Sequence, residues 1–180
     1  CIAQKWKILF DTLMRENSTL TPLPVHFNFR ANTIDSSVFR MVINYNEYRL
    51  PEKFEQGDIV IDVGAHIGCF SYMALSKGAK VFAFEPDREN YEMLNRHLDI
   101  YIKQHKLVLF NAALWSSKFD KEATFISCYP QSGWNTGGGT VIDQKTGQAV
   151  NTIDFDEMIN RIIRKEKKGI RLLKLDCEGA

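Results

Sequence analysis

The sequence predicts an α/β fold in which a doubly wound, mostly parallel sheet carries helices on both faces. Three observations predict it. Short apolar runs rich in β-branched residues alternate with stretches of helical periodicity. The first two of these runs are joined through a glycine-marked turn and a helix, not through a hairpin. The predicted strands end on polar or small residues at one common rim, as in Rossmann-like sheets. Alternation of this kind implies right-handed parallel crossovers. At 180 residues and 44% hydrophobic content, the chain is one domain or slightly less, with a real core.

The elements follow in order. Ile2, Trp6, Leu9, Phe10 and Leu13 recur at helical spacing, and Pro22 and Pro24 end that helix in a linker. Residues 38–50 alternate apolar and polar side chains around Asn44–Glu47, which predicts a β-hairpin. Residues 1–57 thus form an N-terminal helix, linker and hairpin, and 58–180 the main domain. Ile59, Val60, Ile61 and Val63 form a central strand that carries Asp62 at its end. A helix with Ile67, Phe70, Ala74 and Leu75 follows. Val81–Phe84 is the second strand, with Glu85 at its tip, and Asp87 caps a helix reaching about Ile102. Residues 107–114 make the third strand and 123–128 an additional one. Residues 131–140, QSGWNTGGGT, are the one glycine-dense stretch; both a lid and a hairpin tip fit it. Phe155, Met158, Ile159, Ile162 and Ile163 define a helix over 154–168, and Ile170–Leu175 the fourth strand, delivering Asp176 and Glu178.

The run IVIDVGAHIGCFSYMALSKGAKVFAFEPD, residues 59–87, carries the strongest chemical signal. Gly64 and Gly68 bracket a tight turn through Ala65 and His66. Glu85 lies 17 residues beyond Gly68, where a carboxylate accepts both hydrogen bonds of a ribose diol. A pyrophosphate binder needs G-x-G-x-x-G with helix amides free to face phosphate. Here Asp62 precedes the glycines; its charge repels pyrophosphate but suits the cationic amino-acid end of S-adenosylmethionine. The cofactor expected is therefore S-adenosylmethionine, held by Asp62, Gly64, Ala65, His66, Gly68, Glu85, Pro86 and Ala112.

Asp62, Glu85, Ala112 and Asp176 come from four strands to one rim, where open α/β sheets hold their ligands. Asp176 and Glu178 are the catalytic candidates, one of them a general base or a group that orients the acceptor. A helix cap at Asp176 and a solvated Glu178 are the structural alternative. No histidine or third acid is placed beside them for a metal. His66 fits a ligand contact or a local backbone bond equally. His97 reads as helix surface, and the basic residues 161–174 as a solvated helix end.

A net charge of +1 gives no field for nucleic acid or an anionic membrane. The four cysteines show no paired or metal-ligand spacing, which fits a reducing, cytoplasmic setting, with Cys69 and Cys177 buried as small apolar residues. No run reaches the roughly 18 apolar residues of a membrane span, and no signal peptide is visible. The chain starts on Cys1 and stops at Ala180 within a motif. The expectation is a natural protein that continues, with C-terminal strands of the sheet beyond these residues.

DVGAHIG at 62–68, FAFEPD at 82–87, NAAL at 111–114, TIDFDEM at 152–158 and LKLDCEGA at 173–180 together resemble the FkbM family of methyltransferases. The last motif is similar to the family's K-x-D-x-E-G-A-E, with Cys177 where a small aliphatic residue is commoner. The resemblance implies a class I, S-adenosylmethionine-dependent O-methyltransferase acting on hydroxyls of small molecules, sugars or glycans. It implies Asp62, Gly64, Gly68 and Glu85 at the cofactor, and Asp176 and Glu178 facing the reaction. Two other readings stay open: an RNA methyltransferase, which lacks its basic face and N/D-P-P-aromatic run here, and a cofactor-binding relic serving as an interaction module.

Overall fold

The computed structural model describes residues 25–116, 124–126, 133–142 and 148–176. Its centre is a four-stranded parallel sheet of order β3-β2-β1-β9, formed by β1 (Ile59–Val63), β2 (Lys80–Phe84), β3 (Leu107–Phe110) and β9 (Ile170–Leu175). The register pairs Ile61 with Phe82 and with Leu173, so the strand ends line up at one rim. Two small sheets are separate from it. β4 (Ala113–Trp115) pairs in parallel with β8 (Thr152–Asp154), and β5 (Thr124–Ile126) pairs antiparallel with β6 (Thr140–Ile142) and β7 (Gln148–Ala149). The expected α/β fold is the one observed. The predicted third strand is split, because Asn111 and Ala112 leave the main sheet before Ala113 joins β8.

Period-two alternation on the central strands builds two cores. Val60, Val81 and Ala83 face one side, and Ile59, Ile61, Val63, Phe82 and Phe84 face the other. The second side is covered by α5 (Phe155–Glu166), whose Met158 and Ile162 are buried four residues apart. Asp154 caps that helix by accepting the Glu157 N–H at 2.8 Å. The first side carries α2 (Cys69–Ser76), α3 (Arg88–His97) and α4 (Asp99–Lys103). Asp87 caps α3 as predicted, accepting the Asn90 N–H at 2.9 Å.

Every residue of α2 from Cys69 to Leu75 is buried, so this helix is covered on all sides instead of one. Residues 25–57 supply the second cover: Phe27 stacks edge-on with Tyr72 at 5.6 Å, and Tyr48 with Phe70 at 5.1 Å. The hairpin expected over 38–50 is absent. α1 (Asp35–Phe39) runs into a π-helical turn at Arg40–Asn44. Asp35, Phe39 and Val42 are buried at i, i+4 and i+7, a helical period that overrides the short alternation. The expected first helix, residues 2–14, lies outside the described residues, as do Cys177 and Glu178. No helix among the described residues is long and apolar enough to cross a membrane.

Candidate active site at the carboxyl rim of the sheet

Four strand ends meet at the rim, and each contributes differently. At the end of β2, Glu85 is 4% exposed. Its Oε2 accepts the His66 N–H at 2.7 Å and its Oε1 the Asp87 N–H at 2.9 Å. Each oxygen keeps a further lone pair, and no cation among the described residues pairs with this carboxylate. Burial pushes its pKa up to about 7, against the two backbone hydrogen bonds that pull it down. Asn111 braces the same tip, donating to the carbonyls of Glu85 at 2.9 Å and Pro86 at 3.2 Å. Ala112 follows, buried at the turn into β4.

The glycine turn after β1 hydrogen-bonds back to β2: Gly64 N–H and Ala65 N–H both donate to the Phe84 carbonyl, at 3.0 and 3.1 Å. Gly64 has φ +75°. Gly68, at φ +94°, serves helix packing, because an added Cβ would lie 2.8 Å from Leu94 Cγ and 3.2 Å from Leu98 Cδ1. The close approach expected there toward a ligand is an approach toward α3.

Asp62 is fully buried and committed within the protein. Ser71 Oγ donates to its Oδ2 at 2.6 Å, and Lys174 Nζ stands 3.0 Å from its Oδ1. Lys174, on β9, also donates to the Gly64 carbonyl at 2.7 Å and lies over the rings of Tyr48 and Phe70. One buried ammonium thus ties the glycine turn to the neighbouring strand. Asp176 follows on the rim, half exposed, with its N–H on the Val63 carbonyl at 3.1 Å. The Tyr48 hydroxyl donates to Asp176 Oδ2, and Lys174 Nζ is 3.8 Å away.

A second polar cluster adjoins the glycine turn. Arg30 grips the buried Asp35 through Nε at 2.9 Å and Nη2 at 3.0 Å, and reaches Asn90 Oδ1 at 2.7 Å. Those hydrogen bonds hold the Asp35 carboxyl below its ordinary pKa despite burial that acts the other way. Thr136, buried within the glycine-dense stretch, donates to Asp35 Oδ1 at 2.6 Å, and its carbonyl accepts Asn90 Nδ2 at 3.0 Å. His66 Nε2 is 2.8 Å from Thr136 Oγ1. Desolvation drives the His66 pKa down to about 4. The described part of the glycine-dense stretch is therefore docked on this cluster, with the Ile34 N–H also donating to the Trp134 carbonyl at 2.9 Å.

His97 is a correction. It is buried, not on the helix surface: its Nδ1 is 3.0 Å from the Ile67 carbonyl and its Nε2 accepts the Asn28 N–H at 3.0 Å. Its place beside Met93 and Leu94 on the buried stripe of α3 was the available signal. Asn111, Arg30, Asp35 and Thr136 were not found by sequence reasoning. The basic stretch is only partly solvated, since Lys174 is buried and Lys168 reaches Asp58 Oδ1 at 3.1 Å. Among the described residues, no three His, Cys, Asp or Glu side chains are grouped to hold a metal ion.

A family model, the methyltransferase FkbM domain, matches residues 62–180. Two solved structures are similar at low scores. An FkbM methyltransferase from Methylobacillus flagellatus KT shares 16% identity over 77% of this chain and 30% of its own, with a TM-score of 0.43. A putative RNA methyltransferase from Pyrococcus horikoshii shares 25% identity over 58% of this chain and 49% of its own, with a TM-score of 0.28. This chain therefore spans under a third of the first structure and about half of the second. No curated protein matches.

Proposed function

The chain belongs to the FkbM methyltransferase domain family, and from that premise we propose that it takes part in S-adenosylmethionine-dependent methylation of a hydroxyl on a small molecule, sugar or glycan. The observation that carries this reading is the Glu85 carboxylate. It is buried, free of any cation among the described residues, held by two main-chain N–H groups, and left with a lone pair on each oxygen. A ribose diol supplies the two O–H donors that such a group lacks, and the burial that raises its pKa is the cost of keeping it ready.

When bound, S-adenosylmethionine supplies a methyl group already activated on a sulfonium. What remains for the protein is alignment, desolvation and disposal of one proton. Glu85 fixes the ribose, with Asn111 and the His66 main chain fixing Glu85. Gly64 and Ala65 set the path of the turn beside it, and Pro86 and Ala112 line the same edge. Asp62 acts one step removed: by holding Lys174 it fixes the Gly64 carbonyl and the end of β9. Asp176, oriented by Tyr48, is placed to align the acceptor hydroxyl, and Glu178 is its proposed companion. A cytoplasmic setting is part of the same reading.

An RNA acceptor is the less favoured alternative, since Lys174 and Lys168 of the basic stretch are engaged within the protein. The test is calorimetric titration of S-adenosylhomocysteine into the folded chain. Binding that Glu85→Ala abolishes is the expected result; binding indifferent to that change, or none by folded protein, overturns the proposal.

A further inference from the structure

The hydrogen-bond chain Asp35–Thr136–His66 fixes where the protons lie. Asp35 is fully buried and bound to Arg30, and an ionised carboxylate only accepts. Thr136 has one hydroxyl hydrogen, and Asp35 Oδ1 at 2.6 Å takes it. In the 2.8 Å contact between His66 Nε2 and Thr136 Oγ1 the ring must therefore donate. A neutral imidazole has a single N–H, so Nδ1 is left with its lone pair, and no described residue supplies a hydrogen bond to it. His97 is the contrast: both its nitrogens are spent on backbone.

His66 also lies on the rim to which the cofactor is assigned above. It lies between Gly64 and Gly68 at the end of β1, and its own N–H binds Glu85. Its φ of +52° is a conformation that non-glycine residues seldom adopt, sustained here by the ring's anchorage to Thr136 and Asp35. The charged groups that face it come from two other segments. Arg30 and Asp35 stand on the N-terminal side, and Lys174 on β9 with Asp176 just beyond its end. The two aspartates favour a protonated ring and the two cations oppose it.

We propose that His66 Nδ1 accepts the proton of the acceptor hydroxyl, with Thr136 and Asp35 positioning the ring in the tautomer that leaves this nitrogen open. This rests on the methyl-transfer reading above. As the acceptor oxygen bonds to the methyl carbon, the C–S bond of the sulfonium donor breaks, the O–H bond breaks and an N–H bond forms at Nδ1. The donor leaves as a neutral thioether, and its positive charge ends on the imidazolium, whose Nε2 is 3.5 Å from Asp35 Oδ1. An oxygen that carries the new methyl group is far more acidic than an imidazolium, so a weakly basic ring still takes its proton.

The test is long-range proton–nitrogen NMR of the full chain labelled with 15N-histidine, without cofactor, in wild type and Thr136→Val. The expected spectrum shows His66 protonated on Nε2 and bare on Nδ1, and Thr136→Val converts it to a mixture of tautomers. A proton on Nδ1, or a spectrum indifferent to Thr136→Val, overturns the inference. Transfer of a labelled methyl group to a panel of mono- and disaccharides gives the second arm. His66→Gln is expected to lower kcat by about 100-fold or more, a loss well beyond any fall in S-adenosylhomocysteine affinity measured on the same variant. Turnover close to wild type in that variant overturns the inference, and if the panel gives no turnover the tautomer result decides alone. Failure of wild type to bind S-adenosylhomocysteine would instead sink the methyl-transfer reading itself.

Discussion

Asp62 and Asp35 are both fully buried carboxylates beside the glycine turn, yet they are neutralised in opposite ways. Asp62 meets Ser71, on the next helix, and Lys174, on the neighbouring strand, so its partners come with the sheet. Asp35 gathers Arg30 from five residues away and Thr136 from 101 residues away, and through them Asn90 and His66. The first is a structural lock in which Asp62 Oδ1 is held by the ion pair alone. The second ends on a histidine whose Nδ1 bonds to no described residue. Buried charge thus serves rigidity in one case and presentation of a reactive atom in the other.

The largest expected effect comes from breaking the lock. Lys174→Met leaves Asp62 buried without a counter-charge and should cost roughly 3–5 kcal/mol in urea unfolding. Asp35→Asn is expected to cost less, roughly 1.5–3 kcal/mol, because Arg30 keeps contact with solvent and can be rehydrated. A loss from Asp35→Asn equal to that from Lys174→Met would erase the distinction between the two clusters. Gly68→Ala should cost about 1–3 kcal/mol through overpacking against Leu94, read in the same assay. If Gly68 serves the ligand as well, S-adenosylhomocysteine affinity of the still-folded variant falls too.

The smallest effect is a pH dependence that wild type conceals. Glu85 rises from 4.5 to about 7, so the folded chain holds a proton there that the unfolded chain has lost, and stability falls as pH climbs through that window. His66 falls from 6.5 to about 4, so the unfolded chain binds the extra proton and stability grows with pH over nearly the same range. The slopes offset each other in wild type. Thermal unfolding between pH 4.5 and 6.5 should show stability decreasing with pH in His66→Gln and increasing with pH in Glu85→Gln.

What the sequence disclosed follows the same division. β1, β2 and β9 were legible because buried parallel strands read as β-branched runs, and β9 was expected and found at Ile170–Leu175. Glu85 was legible through its spacing from Gly68, and the Asp87 cap through its own chemistry. The hairpin expected over 38–50 failed because a short alternation is also compatible with a helix whose buried residues fall at 35, 39 and 42. The Asp35 network was invisible for another reason: no local period records a hydrogen bond between residues 101 positions apart. Glycine density marked the stretch at 131–140, but nothing in it singled out Thr136.

The part of Glu85 in cofactor binding is tested by the pH dependence of S-adenosylhomocysteine affinity, followed by calorimetry from about pH 6 to about pH 8. Only ionised Glu85 accepts both diol hydrogens, so affinity should strengthen as pH passes about 7, where Glu85 titrates, and Glu85→Gln should bind weakly throughout. Equal, pH-independent affinity in the folded wild type and Glu85→Gln would mean that the Glu85 carboxylate does not hold the ribose.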